Sequence, residues 1–202
     1  MQDFTDIPAL TARAADYHGH MCPGLAIGIQ AARLGQAVCG CDGDEDVVAV
    51  AETDMCAVDA IQALLGCTFG KGNLVHRDYG KMAFTFHRRS DGAGLRLVLR
   101  PDALAAVDPE FAAVRQAANA GDAAAREQLP ALSRQCAARI LAGDPESLFI
   151  RSAPQTPPPR RAAILSSLVC QACGESVMES RTRRFAGQTL CIPCFGKVEQ
   201  KI

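Results

Sequence analysis

Two Cys-x2-Cys pairs, Cys170-Gln-Ala-Cys173 and Cys191-Ile-Pro-Cys194, stand with seventeen residues between Cys173 and Cys191. Each pair at this spacing forms a knuckle, and four thiolates match the tetrahedral demand of Zn²⁺. A module of about 40 residues cannot bury enough apolar surface to fold alone, so the metal must supply folding energy. Between the pairs, Glu175 to Phe185 and Gln188 to Leu190 predict a hairpin about Ala186-Gly187. Phe195 to Ile202 predicts a helix leaving the second knuckle. Knuckle, hairpin, knuckle and helix follow the order of a treble clef. Upstream, Ser152 to Arg161 holds four prolines and no apolar pattern, which reads as a semi-rigid linker. The chain therefore divides into a core at 1–151, a linker at 152–163 and a four-cysteine module at 164–202.

The core is organised around Tyr17-His18-Gly19-His20-Met21-Cys22-Pro23-Gly24. His18, His20 and Cys22 are spaced by two, so an extended backbone would turn all three to one side. Pro23 suits the first position of a helix, where its missing N–H costs nothing. Cys22 then takes the N-cap, where helix-end N–H groups and the macrodipole favour thiolate. Thiolate is the form that binds metals and attacks electrophiles.

The surrounding pattern predicts further elements. Helices are expected at 6–17, with Asp6 as N-cap, and at 23–35, where Gly24, Gly28 and Ala32 make a small-residue face for a close neighbour. Val47 to Ala51 reads as a buried strand and Ala57 to Leu65 as a helix ended by Gly66. Cys56 opens that helix, with Asp59 one turn on. Gly66-Cys67-Thr68-Phe69-Gly70-Lys71-Gly72-Asn73 fails the P-loop pattern, and reads equally as an anion nest or a tight structural loop. A hairpin is predicted from Met82–Arg88 and Gly94–Arg100, pairing Phe84 and Phe86 with Leu95, Leu97 and Leu99. His87 reads as a surface or core-edge histidine. Pro101 to Gly143 is Ala-rich and helical, kinked or divided at Pro130. Cys136 has no ligand-type neighbour and reads as core. Cys39-Gly-Cys41 falls in a Gly/Asp-rich loop.

Ten cysteines without a basic, apolar leader or a membrane-length run point to a cytoplasmic chain that uses cysteine for metal or redox chemistry. Net charge is −1, but residues 160–202 hold seven Arg/Lys against three Asp/Glu. Arg181, Arg183 and Arg184 give the module a basic side, for which a solvated face is the expected reading and nucleic acid the alternative. The absence of Trp and the presence of only two Tyr deny the chain a base-stacking platform.

These residues resemble the FmdE family of formylmethanofuran dehydrogenase proteins. The resemblance rests on His18-Gly-His20-x-Cys22-Pro23-Gly24, Glu52 to Cys56 with Asp59, Gly66-Cys67-Thr68 with Gly70-Lys71-Gly72-Asn73, and Asp78-Tyr79-Gly80-Lys81. The four-cysteine module looks like the tail of some members. The resemblance implies an α+β fold with a thioredoxin-like core, a metal at the His/Cys site and a tight homodimer. It does not carry the dehydrogenase activity with it, and the core has no Cys-x-x-Cys for dithiol exchange. The expected core metal, zinc, nickel or iron, would use His20 and Cys22 with Cys56, and with His18 or Cys67. Lys71 and Asp59 would serve proton transfer, and Cys22 and His20 would be the reacting pair. Three roles compete: a metal-dependent or redox enzyme, an accessory protein serving an oxidoreductase partner, and a regulator acting through its zinc finger on nucleic acid or protein.

Overall fold

Asp6 opens the first helix by accepting a hydrogen bond from Ala9 N–H, and Gly19 closes it in the left-handed region at φ 88°. This is α1 (Ile7–His18) in a computed structural model that describes residues 3–40 and 46–198. Elements then follow as α2 (Pro23–Cys39), β1 (Val47–Ala51), α3 (Ala57–Leu65), β2 (Leu74–His76), β3 (Ala83–Arg88) and β4 (Gly94–Leu99). After them come α4 (Ala103–Val107), α5 (Pro109–Asn119), α6 (Ala123–Ala142), α7 (Pro145–Leu148) and β5 (Phe149–Ser152). The α+β character expected from sequence is present. Cys41 lies outside the described residues.

The five strands form one mixed sheet in the order β2-β1-β3-β4-β5, with β1 and β2 parallel and the other pairs antiparallel. Ala49 lies opposite Phe86 and Phe86 opposite Leu95, while Ala51 faces Phe84 and Phe84 faces Leu97. These rows alternate with the polar side of the strands and form the buried face. α2 lies on that face, where Gly35 is pressed so close to Phe86 that a Cβ would stand 2.8 Å from the ring.

The small-residue face of α2 is spent within the chain. A Cβ on Gly28 would sit 2.3 Å from the carbonyl oxygen of Ala57, so the start of α3 rests on the glycine backbone. α6 packs on α2 as well, and Gln30, fully buried, donates to the carbonyls of Ile140 at 2.7 Å and Leu141 at 3.3 Å. That side chain satisfies carbonyls which a helix end otherwise leaves unpaired. α6 runs through Pro130 instead of dividing there. The proline forfeits one backbone bond, and burial of Leu132, Cys136, Ala137 and Ile140 holds the helix together.

Three segments left open by the sequence are defined by the structure. His87, read as a surface or core-edge residue, is 1% exposed near the end of the central strand β3, where it pairs with Val48 and Gly94. Burial and then the neighbouring Arg77 and Arg89 hold its pKa below the usual histidine range. Of the two readings of Gly66–Asn73, the geometry is that of the tight structural loop: Asn73 accepts from Thr68 N–H at 2.9 Å and donates to Val47 O at 3.0 Å. Residues 152–161, read from sequence as a semi-rigid linker, are held at their far end. Arg89 donates to the carbonyls of Pro159 at 3.0 Å and Arg160 at 3.3 Å, so the proline-rich segment straps onto the sheet.

The chain forms two compact units, 1–161 and 162–202. In the second, β6 (Ser167–Val169) pairs with β7 (Ser176–Met178), and β8 (Thr182–Phe185) pairs with β9 (Gln188–Cys191), before α8 (Ile192–Val198). Ala186 and Gly187 both have positive φ, 47° and 78°, the signature of the tight turn whose twist matches a hairpin. The predicted hairpin is therefore confined to 182–191, because 176–178 pairs back onto β6.

Candidate metal centres

Pro23 starts α2 and Cys22 is its N-cap in extended backbone, with its Sγ accepting from Leu25 N–H at 3.3 Å. His18 is the last residue of α1. Gly19 reverses the chain in a conformation that only glycine takes cheaply, and residues 20–22 lead from it into α2. Convergence thus comes from a helix end followed by a short connection whose last residue, Cys22, is extended. The outcome is the one the spacing suggested: His18, His20 and Cys22 each offer a ligand atom within 4.8 Å of the others. The two imidazole centroids are 4.6 Å apart.

His18 is held from behind. Its Nδ1 lies 2.6 Å from Asp59 Oδ2, and Asp59 in turn accepts from Gln62 Nε2 at 3.3 Å. Its other nitrogen, Nε2, is buried and has no hydrogen-bond partner. A carboxylate on one ring nitrogen with the other nitrogen free is the arrangement that orients a metal-binding histidine. A buried nitrogen left without a partner is costly in any other role.

Cys56 joins from the start of α3. The point where a Gly24 Cβ would stand lies 3.7 Å from Cys56 Sγ and 3.8 Å from Cys22 Sγ. Burial, then the neighbouring Cys22, push the Cys56 thiol up. A nearby cation would reverse both effects by favouring thiolate. Beside Asp59 opens a cavity of about 170 Å³, also lined by Thr53, Gln62 and His76. Sequence reasoning left out Thr53 and Gln62. Gln62 was within reach of the argument, being one helical turn from Asp59.

Two expected residues are elsewhere. Cys67 is fully buried, donates to Val47 O at 3.6 Å, and is pushed by burial up to about 12. It sits at the start of β1, whereas Cys56 follows the end of that strand. The Lys71 Nζ lies 3.3 Å from where a Gly66 Cβ would stand, at the far end of α3 from Cys56. Ten residues of helix rise put about 15 Å between those ends. There the ammonium complements the helix C-terminus. Cys136 is buried as expected, its thiol pushed up to about 11.

In the second unit, Cys170, Cys173, Cys191 and Cys194 bring four sulfurs within 4.8 Å of one another, with Cys173 and Cys191 at 4.0 Å. A tetrahedron with Zn–S bonds of about 2.3 Å has edges of about 3.8 Å, so the donor set fits zinc. Backbone N–H groups of Cys173 and Cys191 hold the Cys170 thiol down to about 6. The surrounding thiols, Cys191 foremost, push Cys194 up to about 12, so a divalent ion is needed for all four to ionise together.

Known proteins resemble each part of the chain. The family model "FmdE, Molybdenum formylmethanofuran dehydrogenase operon" matches residues 17–150, and the prokaryotic dksA/traR C4-type zinc finger matches residues 158–200. A "Probable S-adenosyl-L-methionine-binding protein" of Archaeoglobus fulgidus is 29% identical over 200 residues, 93% of this chain and 52% of that protein. The chain thus spans about half the length of that curated relative. A tungsten formylmethanofuran dehydrogenase FmdE-like protein from Syntrophus aciditrophicus shares the fold, with a TM-score of 0.66 at 19% identity over 98% of each chain. No helix among the described residues is long and apolar enough to cross a membrane.

Proposed function

The chain belongs to the FmdE family, and from that premise we propose that it carries a second metal ion in its core beside the structural zinc of its tail. His18 Nε2, His20 and Cys22 are the ligands of that ion. Cys56 either completes the set or leaves a fourth position for water or substrate. The carrying observation is the buried, partnerless Nε2 of His18, aimed by the Asp59 bond on the opposite nitrogen. Zinc, nickel and ferrous iron all suit imidazole with thiolate.

An open coordination position would make this a metal-dependent or redox enzyme, and a closed four-ligand site would make it accessory to an oxidoreductase. In the enzyme reading Cys22 and His20 meet the substrate, and Asp59 fixes His18. Lys71, at the far end of α3, has no part. The thioredoxin-like label for the core, the treble-clef label for the tail, the homodimer and the cytoplasmic setting belong to this same reading. The homodimer rests on the family alone, since the Gly24–Gly28 face is occupied by α3.

Metal stoichiometry of the reconstituted full-length chain tests the proposal. The wild type should hold two ions, and Cys22→Ser and His18→Gln one each, while Cys136→Ser keeps two. Serine is itself a good N-cap, so Cys22→Ser removes the ligand without unfolding α2. Uptake should strengthen as pH rises, because bound thiolates shed protons that an acidic medium restores. One ion in the wild type, or two in Cys22→Ser, sinks the core site.

A second reading has its own observation. A groove of about 760 Å³ between α1, α2 and α6 is lined by Ile7, Thr11, Ala12, Arg33 and Leu141, and the Thr11 hydroxyl is buried without a partner. S-adenosylmethionine, the ligand in the name of the A. fulgidus relative, is of a size to enter it. Equilibrium dialysis should then show binding that Thr11→Val weakens severalfold. Retention equal to a bovine albumin blank ends this reading.

A further inference from the structure

The sheet face turned away from α2 carries its own site. Val50, Thr85, Arg96 and Ser152 lie in one row across four strands. The strap that follows β5 turns back over this face, and Pro154 comes so near Gly94 that a Cβ there would meet its ring at 2.6 Å. Between sheet and strap lies a cavity of about 190 Å³. Its polar walls include Arg77, Tyr79, Lys81, Thr85, Arg96 and Gln155, with Glu52 as the one carboxylate.

The charges do not cancel. Arg96 holds Glu52 with Nη2 at 2.8 and 2.9 Å from its two oxygens and Nε at 3.2 Å, which balances the one carboxylate with one guanidinium. Arg77 and Lys81 then stand over the same space, and no carboxylate of the described residues pairs with either. The field of Arg77 also reaches buried His87, whose pKa it helps to lower. A concave, partly desolvated space with two excess cations concentrates anions. The hydroxyls of Thr85 and Tyr79 and the Gln155 amide add donors of the kind that meet phosphate oxygens.

We propose that this cavity binds a small doubly charged oxyanion of the phosphate class, either the free ion or the phosphoryl end of a small ester. Arg77 and Lys81 supply the charge, and the locked Arg96–Glu52 pair forms a rigid floor. Gln155 on the strap closes the mouth. The volume holds a phosphate with a few further atoms and excludes a nucleotide.

Titration of the full-length protein with inorganic phosphate at low ionic strength, followed calorimetrically and by ³¹P resonance, tests the site. One saturable site per chain is expected. The double change Arg77→Gln with Lys81→Gln should weaken it at least tenfold. Both side chains reach solvent and neither forms an ion pair among the described residues, so an unchanged melting temperature is expected. Gln155→Glu leaves the sheet untouched and places a negative charge at the mouth, and it too should weaken binding tenfold or more. Changing Arg181, Arg183 and Arg184 to Gln, which strips the tail's basic face, should change nothing. Methyl phosphate binding as well as phosphate assigns the ester source, and its exclusion assigns the free ion; either outcome upholds the site. Absence of saturable binding, indifference to both cavity variants, or an equal loss in the tail variant overturns it.

Discussion

Cys173→Ser should release the tail zinc and unfold residues 162–198 while the core stays folded. The size of the effect follows from how little else holds the tail. Its buried cluster is Cys170, Leu190 and Cys191, with Val177, Cys194 and Phe195 packed around it, and two of the three buried residues are themselves ligands. A single leucine contributes about 2 kcal/mol by burial. Structural zinc in comparable finger modules contributes on the order of 10–16 kcal/mol. The ion outweighs the apolar core severalfold, so losing one thiolate is not a local defect. Limited proteolysis should cut the tail of the variant at rates typical of unfolded chain, with one fewer zinc per protein by elemental analysis. A chelator should reproduce the result on the wild type. If the variant keeps both its zinc and its protection, the four-cysteine site is wrong.

Gly28→Ala should be the most damaging single methyl group in the core. The added carbon would meet the Ala57 backbone at 2.3, 2.6 and 2.8 Å, and a backbone cannot rotate aside as a side chain can. Overpacking of this kind costs about 3 kcal/mol, which lowers the core melting temperature by roughly 10 °C. The displaced element is the start of α3, which carries Cys56 and Asp59. Core metal affinity should therefore fall together with stability, although residue 28 touches no ligand. Gly70→Ala is the control: it has nothing within 4 Å of the new carbon and no left-handed φ, so its cost should stay within about 0.5 kcal/mol. Equal melting temperatures for the two variants would refute the close contact between α2 and α3.

Local chemistry made half of the candidate centre readable from sequence. Proline at residue 23 implies a helix start, a helix start implies an N-cap, and Cys22 occupies it. The tail ligands were legible for the same reason, since both halves of each knuckle are neighbours in the chain. The Asp59–His18 bond spans 41 residues and depends on how α1 packs against α3, which no local pattern encodes. Cys67 looked like a ligand because residue type does not reveal depth, and depth is what disqualifies it. β2, three residues long, is too short to show alternation. The small-residue face of α2 was legible, but not the partner that lies on it. The phosphate-class cavity draws Arg77, Lys81 and Arg96 from separate segments, so it exists only once the sheet and its strap are assembled.

The order of the strands also bears on self-association. The two outermost strands, β2 and β5, have three and four residues, and β5 runs directly into a proline-rich segment that cannot offer regular N–H donors. Short, proline-terminated edges give a second sheet little to extend. A second copy of this chain is not expected to join by continuing the five-stranded sheet, whose edges resist the strand-to-strand growth that leads to fibres. Two copies that associate through the core are then expected to do so through side chains, across helical or loop surfaces, with the five-stranded sheet ending at β2 and β5.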